Sequence, residues 1–273
     1  MARIEVRMPA FEGVAAGQTA TAKLPIGRRF HELQLTYSGV TLAQINEIRL
    51  FANGKVIHRY TGNDRDMMNQ FDGRAAAAGI LIIPFDRYGL ITQAGREETA
   101  LNTGSQSETG LSINSLYLEV DIDAAALGSA LSMTATQSDA LAGGPGTVLH
   151  VQRHTRDFAG AGTFDLSDLP RGTATSIALN RIFFKESANN ITDVKVERNQ
   201  YTIFERSSTL NSNVQTDGIR TPQANVYALD KTERGFGGDP IDLVGVSDFR
   251  YNLTVDGAMT VTAYSEYLGR LGD

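Results

Sequence analysis

The chain repeats itself at a long, nearly constant offset, and a repeat of that length restricts it to folds built from two like units. Near the start stand Phe11-Glu12-Gly13, Ala16-Gly17 and Leu24-Pro25-Ile26-Gly27. In the second half stand Phe158-Ala159-Gly160, Ala161-Gly162 and Leu169-Pro170-Arg171-Gly172, displaced by 145–147 positions. Ile45 to Leu50 lies opposite Ile191 to Val196 in the same apolar–polar phase, and Asn53 falls opposite Asn199. Looser matches follow in order: Ile83–Asp86 with Tyr227–Asp230, Leu116–Ile122 with Phe249–Val255, and Ala130–Ala135 with Ala258–Ala263.

The junction agrees with a duplication. Ser138 to Gly146 is a cluster of breakers at the midpoint and reads as a linker, dividing the 273 residues into domains 1–140 and 147–273. Each half carries a net charge of −3, from 12 basic and 15 acidic groups in 1–143 and 13 and 16 in the remainder. A chain at −6 has no dense basic face, so direct nucleic-acid binding is not expected. Cysteine is absent, which removes disulfides, thiolate metal sites and cysteine nucleophiles. The N-terminus alternates charged with apolar residues and lacks a signal-peptide core, so synthesis in a cytoplasm is expected.

Period-two alternation rich in Val, Ile, Thr, Tyr and Phe dominates both halves. It predicts strands near 4–8, 18–24, 30–37, 45–51, 56–60, 80–85, 116–122 and 130–136. The second half gives 148–152, 162–166, 176–184, 191–196, 201–205, 225–229, 249–255 and 259–264. Strand edges at Ile4–Met8 and Val148–Gln152 are expected to be exposed. One helix is predicted over Asn63–Ala78, capped by Asn63 or Asp64 and ending in an alanine run that Gly73 could split. Two long polar stretches, Gly89–Ser112 and Ser207–Gln223, sit at matching places and read as loops used in contacts. Eight short strands per half suit a jelly roll or an immunoglobulin-like sandwich.

The segments Gly17 to Phe30 and Asp66 to Gly73, taken with the duplication and the segment order, resemble the major capsid proteins of corticovirus-type, membrane-containing tailless phages. The resemblance implies an all-β fold of two tandem eight-stranded jelly rolls with a short helix and long loops. It further implies a homotrimer of pseudo-hexagonal outline in an icosahedral virion capsid over an internal membrane. Its partners would be neighbouring capsomers, a penton or vertex protein and internal membrane proteins. The family has no active site to transfer.

Candidate chemistry is sparse. Asp121 and Asp123 share one strand face and are the first candidates for Ca²⁺, with Asp64/Asp66 and Asp239/Asp242 behind them. His150 and His154 have helical zinc spacing but fall on a strand, where four residues span roughly 13 Å, and read as a solvated strand end. Gly143–Gly146 and Gly235–Gly238 lack a phosphate-loop ending and read as turns. Arg28-Arg29 reads as a strand-end salt bridge. No catalytic residue is expected. Besides a coat subunit, the composition is compatible with a carbohydrate- or receptor-binding spike, or with a β-sandwich polysaccharide hydrolase.

Overall fold

The computed structural model describes residues 3–104 and 110–272. Alternating segments become strands because each has one apolar face to bury and one polar face to leave in water. In the first half these are β1 (Ile4–Arg7), β2 (Thr19–Lys23), β3 (Arg28–Ser38), β4 (Ile45–Ala52), β5 (Lys55–Tyr60), β6 (Ile80–Pro84), β7 (Leu101–Asn102), β8 (Leu116–Ile122) and β9 (Ala130–Asp139). The second half supplies β10 (Val148–Phe158), β11 (Gly162–Leu166), β12 (Ala178–Glu186), β13 (Ile191–Arg198), β14 (Tyr201–Ser207), β15 (Val226–Asp230), β16 (Ile241–Asp242), β17 (Phe249–Val255) and β18 (Met259–Gly269). Every expected strand is present. β10 and β18 run further than expected, and the two-residue β7 and β16 are additions.

Each half is a pair of antiparallel sheets with the same connectivity. The first half has β1-β9-β3-β6 and β2-β8-β4-β5; the second has β10-β18-β12-β15 and β11-β17-β13-β14. Replacing each strand by its counterpart turns one order into the other, and even β7 and β16 pair with counterpart strands, β3 and β12. This is the jelly roll, built twice.

Details repeat as well. β4 and β13 both slip register after their first residue, at Ile45/Glu47 and Ile191/Asp193. Asn53 and Asn199 both take positive φ in the following hairpin, 52° and 50°. Each side-chain oxygen accepts amides from the loop before the next long strand, Asn114 and Ser115 in one roll, Ser247 and Asp248 in the other. The looser sequence matches are corrected by the register. Glu32 pairs with Pro84 and Thr136, and Arg181 with Asp230 and Glu266, so Pro84 corresponds to Asp230 and Thr136 to Glu266. Both late matches were displaced by two residues, a slip that preserves alternation and so is invisible to it.

The two rolls are fused side by side. β5 meets β10 in parallel at His58 and Val151, joining the second sheet of roll 1 to the first sheet of roll 2 as one nine-stranded sheet. β10 is therefore interior, not the exposed edge expected of Val148–Gln152, whereas β1 is an exposed edge. The parallel contact aligns the rolls. Because Ile4 lies against Gln137 and Val148 against Gly269, the first strand's start, the linker and the last strand's end share one end of the molecule. The core of roll 1 also takes in Val148, Val151, Phe183 and Tyr264 from the second half.

The first helix, α1 (Gly62–Phe71), is shorter than the predicted Asn63–Ala78. Thr61, rather than Asn63 or Asp64, caps it by accepting the Asp64 amide at 3.1 Å. Gly73 at φ 74° ends it, and Ala75–Ala78 is irregular because the chain must turn back into β6. A second short helix, α2 (Gln93–Glu97), lies in the Gly89–Ser112 segment, whose residues 105–109 are outside the described residues. The third, α3 (Ser208–Gln215), occupies the supposed loop Ser207–Gln223 and is the counterpart of α1, since both follow the fifth strand of their roll. Of the expected linker, Ser138 and Asp139 belong to β9. The turn beyond is held by the Asn102 side-chain amide, which donates to the carbonyls of Leu141 and Gly144 at 2.7 Å each.

Candidate functional site

The residues singled out in the sequence do not converge. Asp121, on β8, accepts the guanidinium of Arg49 through both oxygens at 2.8 and 2.9 Å, and the Thr19 hydroxyl at 2.6 Å. Arg49 also reaches Glu47 and Glu119. Burial alone would lower the Arg49 pKa, but these carboxylates raise it above the usual arginine value. Asp123 closes a turn: one oxygen accepts the Ala125 amide at 2.8 Å and the other the Asn46 amide at 3.2 Å. Those bonds, Ala125 first, hold its carboxyl below the ordinary value. All four oxygens thus have protein partners, unlike the open oxygen cage a hard cation takes. Among the described residues no three His, Asp or Glu side chains gather as a metal site.

Of the other acidic pairs, Asp64, Asp66 and Asp242 are engaged, and Asp239 has no side-chain partner among the described residues. Asp64 accepts from Lys185, Tyr264 and Thr61, Asp66 accepts the Ala77 amide at 2.9 Å, and Asp242 accepts the Val244 amide at 2.9 Å. His150 is buried, not solvated as expected, because β10 lies inside the nine-stranded sheet; its Nε2 donates to the Arg270 carbonyl at 2.8 Å. His154 is half-buried, and burial lowers the pKa of both rings. Arg28 pairs with Asp139 and Arg29 with Glu97, both at 3.2 Å, which are the strand-end salt bridges expected. Gly143, Gly144, Gly146 and Gly235 take positive φ, as turn glycines do.

What the fold does assemble is a polar seam between the rolls. Arg181 on β12 holds Asp72, just past α1, through two bonds of 2.5 and 3.1 Å, and Glu266 on β18 at 2.5 Å. All three are buried. Burial alone would lower the Arg181 pKa, but Asp72 and Glu266 raise it well above the usual value; burial pushes the Asp72 carboxyl up, against the pull of the bidentate Arg181. Arg65, fully buried on α1, donates to Asn69 at 3.0 Å and lies over the Tyr60 ring. Burial lowers its pKa. Around these, Lys185 and Tyr264 of roll 2 reach Asp64, Arg87 donates to Asn180 at 3.1 Å, and His58 donates to the Leu149 carbonyl at 3.0 Å. Sequence reasoning missed the seam entirely. Its members lie up to 200 positions apart and share no motif.

A duplicated jelly roll whose halves are locked into one block, with most of its candidate chemical groups tied into the fold, defines the class of double jelly-roll coat proteins. Two family models match in order, the viral coat protein P2 N-terminal domain over residues 5–138 and the P2 C-terminal domain over residues 148–271, and the chain belongs to the viral coat protein P2 family. It is 32% identical over 167 residues to the major capsid protein P2 of Pseudoalteromonas phage PM2, a stretch covering 60% of this chain and 60% of that protein. The fold superposes on the crystal structure of the same phage PM2 protein with a TM-score of 0.87 at 24% identity, covering 98% of this chain and 97% of that one. A chain of Sulfolobus Turreted Icosahedral Virus matches at a TM-score of 0.70 and 11% identity, covering 98% and 91%. The family is described as a viral coat protein, and the phage PM2 relative is a major capsid protein.

Proposed function

We propose that the chain is the repeating subunit of an icosahedral capsid and assembles as a homotrimer of pseudo-hexagonal outline. One observation carries this reading. The seam sets the β5 side of roll 1 against the β10 side of roll 2. The counterparts of those two sides, β14 on roll 2 and β1 on roll 1, stay uncovered. Every residue of β1 is exposed, and β14 has no buried residue, with Tyr201 78% exposed. A neighbour's β14 side set against β1 repeats the contact already made inside the chain. Three chains then close a ring of six like blocks, as a head-to-tail contact does when its rotation closes.

In such a shell the trimers would adjoin a vertex protein and internal membrane proteins, and the subunit would be made in a bacterial cytoplasm before assembly. Light scattering on the purified protein, followed by imaging, tests the reading. The expected result is a species of three 29.5 kDa chains with a six-lobed outline. A stable monomer at micromolar concentration, or a dimer, would overturn it. Chelation reads the role of Asp121 and Asp123 separately: with their oxygens bound by protein groups, EDTA at low salt is expected to leave the oligomer's mass unchanged.

A further inference from the structure

At the linker end of roll 1, three polar side chains from separate segments meet. His31 lies on β3 where pairing with β9 skips a residue, Phe30 facing Gln137 and Glu32 facing Thr136. A bulge of this kind re-aims the side chain at its centre. Asp86 follows β6, and the preceding Phe85 amide donates to the His31 carbonyl at 2.8 Å. Ser138 is the last residue but one of β9. His31 Nδ1 is 3.0 and 3.2 Å from the two Asp86 oxygens, and its Nε2 is 2.8 Å from Ser138 Oγ.

The hydrogen positions follow from the partners. Asp86 is ion-paired to Arg3 at 2.8 Å, and a carboxylate only accepts, so Nδ1 carries the imidazole hydrogen. Nε2 then keeps its lone pair and accepts the Ser138 hydroxyl. That is the arrangement that activates a serine.

Roll 2 shows that the fold does not require it. The counterpart bulge skips Asn180, between Leu179 and Arg181, and the Asn180 carbonyl accepts the Lys231 amide as His31 accepts that of Phe85. One residue on, Thr232 replaces Asp86. Leu268, paired with Ala178 as Ser138 is with Arg29, replaces the serine. The same corner closes with none of the three groups. In roll 1 it opens instead on a pocket of about 200 Å³ lined by Ser138, His31, Arg3, Arg29, Glu97 and Leu141.

We propose that Ser138 is a base-activated nucleophile that takes an acyl group from a small carboxylic ester. Its Oγ adds to the ester carbonyl carbon as its proton passes to His31 Nε2. The tetrahedral intermediate collapses, the bond to the leaving alkoxide breaks, and His31 returns the proton to that oxygen. The products are the Ser138 ester and the free alcohol. Asp86 is a positioning residue that orients the imidazole and stabilises its protonated form. The guanidinium groups of Arg3 and Arg29 line the same pocket, both paired with Glu97. The step modifies each chain once and asks for no turnover.

The test treats the full-length protein with p-nitrophenyl acetate and locates acetyl groups by peptide mass spectrometry. A positioned base typically contributes about 10²–10⁴-fold, so Ser138 in the folded protein is expected to acetylate at least about 10²-fold faster than in urea-unfolded chain. His31→Asn, which copies the residue roll 2 uses at this bulge, is expected to remove that advantage. Asp86→Asn is expected to shift the pH profile of acetylation as well as slow it. The proposal is overturned if folded Ser138 reacts no faster than unfolded. It is equally overturned if a His31→Asn protein with native thermal unfolding acetylates at the wild-type rate. Should His31→Asn not fold, the folded-against-unfolded comparison and the Asp86→Asn profile still decide.

Discussion

The two rolls share a backbone and differ in what their counterpart helices bury. α1 buries Asp64, Arg65, Asp66 and Asn69 beside Met68 and Phe71; across the seam Lys185 meets its Asp64, and Arg181 meets Asp72 just past its end. α3 buries only Asn211 and Gln215, both of whose amides donate to the Ala228 carbonyl at 2.7 Å, and leaves Leu210 and Val214 in solvent. The same position in the fold is thus a charged internal joint in one roll and an outward face with exposed apolar groups in the other. The difference teaches that helix composition here follows the neighbour it meets, while connectivity follows the strands.

The comparison can be broken most forcefully at the joint. Arg181→Met leaves Asp72 and Glu266 buried without their cation and is expected to cost about 3–5 kcal/mol in urea unfolding. A loss below about 1 kcal/mol would show that the seam is not what fuses the rolls.

Core truncations ask whether the rolls melt together. Leu118→Ala on β8 and Leu253→Ala on the counterpart β17 each remove a fully buried side chain and are expected to cost about 2–5 kcal/mol. If the seam makes one cooperative unit, both shift a single transition; two separate transitions, each moved by one variant, would divide the molecule.

Acid sharpens the contrast further. Burial, reinforced by Arg65 and His150, lowers the His58 pKa to about 3, so the folded chain keeps the ring neutral while the unfolded chain protonates it near 6.5. Below that value the unfolded state binds the extra proton, so this contribution is complete above pH 6.5 and is lost as pH falls toward 3. At pH 5 the loss is about 2 kcal/mol, and His58→Gln is expected to flatten it in denaturant titrations across this range. Its counterpart in roll 2, placed by the shared register slip, is Phe204, which does not titrate.

The smallest expected effect is at the helix caps. Thr61→Ala and Ser207→Ala each remove a side-chain oxygen that accepts a first-turn amide, at about 1 kcal/mol apiece by thermal unfolding. A difference between them larger than that would mean one helix depends on contacts beyond its cap.

The strands were legible because alternation is the direct trace of a half-buried sheet, and because a repeat shows it twice. Where alternation has no grip, reading failed. α3 is Ser-Thr-Leu-Asn-Ser-Asn-Val-Gln, weak in propensity and inverted in pattern, with its amides buried and its aliphatic groups out. The alanine run after Gly73 has the opposite fault: strong propensity, overruled by the need to re-enter β6. At the sites, Arg28 and Arg29 pair as their strand-end setting suggests, but their partners lie 111 and 68 positions away. His31, Asp86 and Ser138 carry no local signature at all, because only a skipped pairing on β3 brings them together. A charge pattern can be read from a string of residues. A register slip cannot.

Because the rolls stand parallel, the linker and the outer ends of the first and last strands crowd one pole, and the other pole carries turns that hold no terminus. Turns such as Ala159–Ala161, where a Cβ at Gly160 would touch nothing, tie no strand end to a terminus. Length added there changes no pairing and no seam contact. The molecule therefore has one pole committed to joining and one free to vary, and inserted peptides or surface epitopes belong on the second.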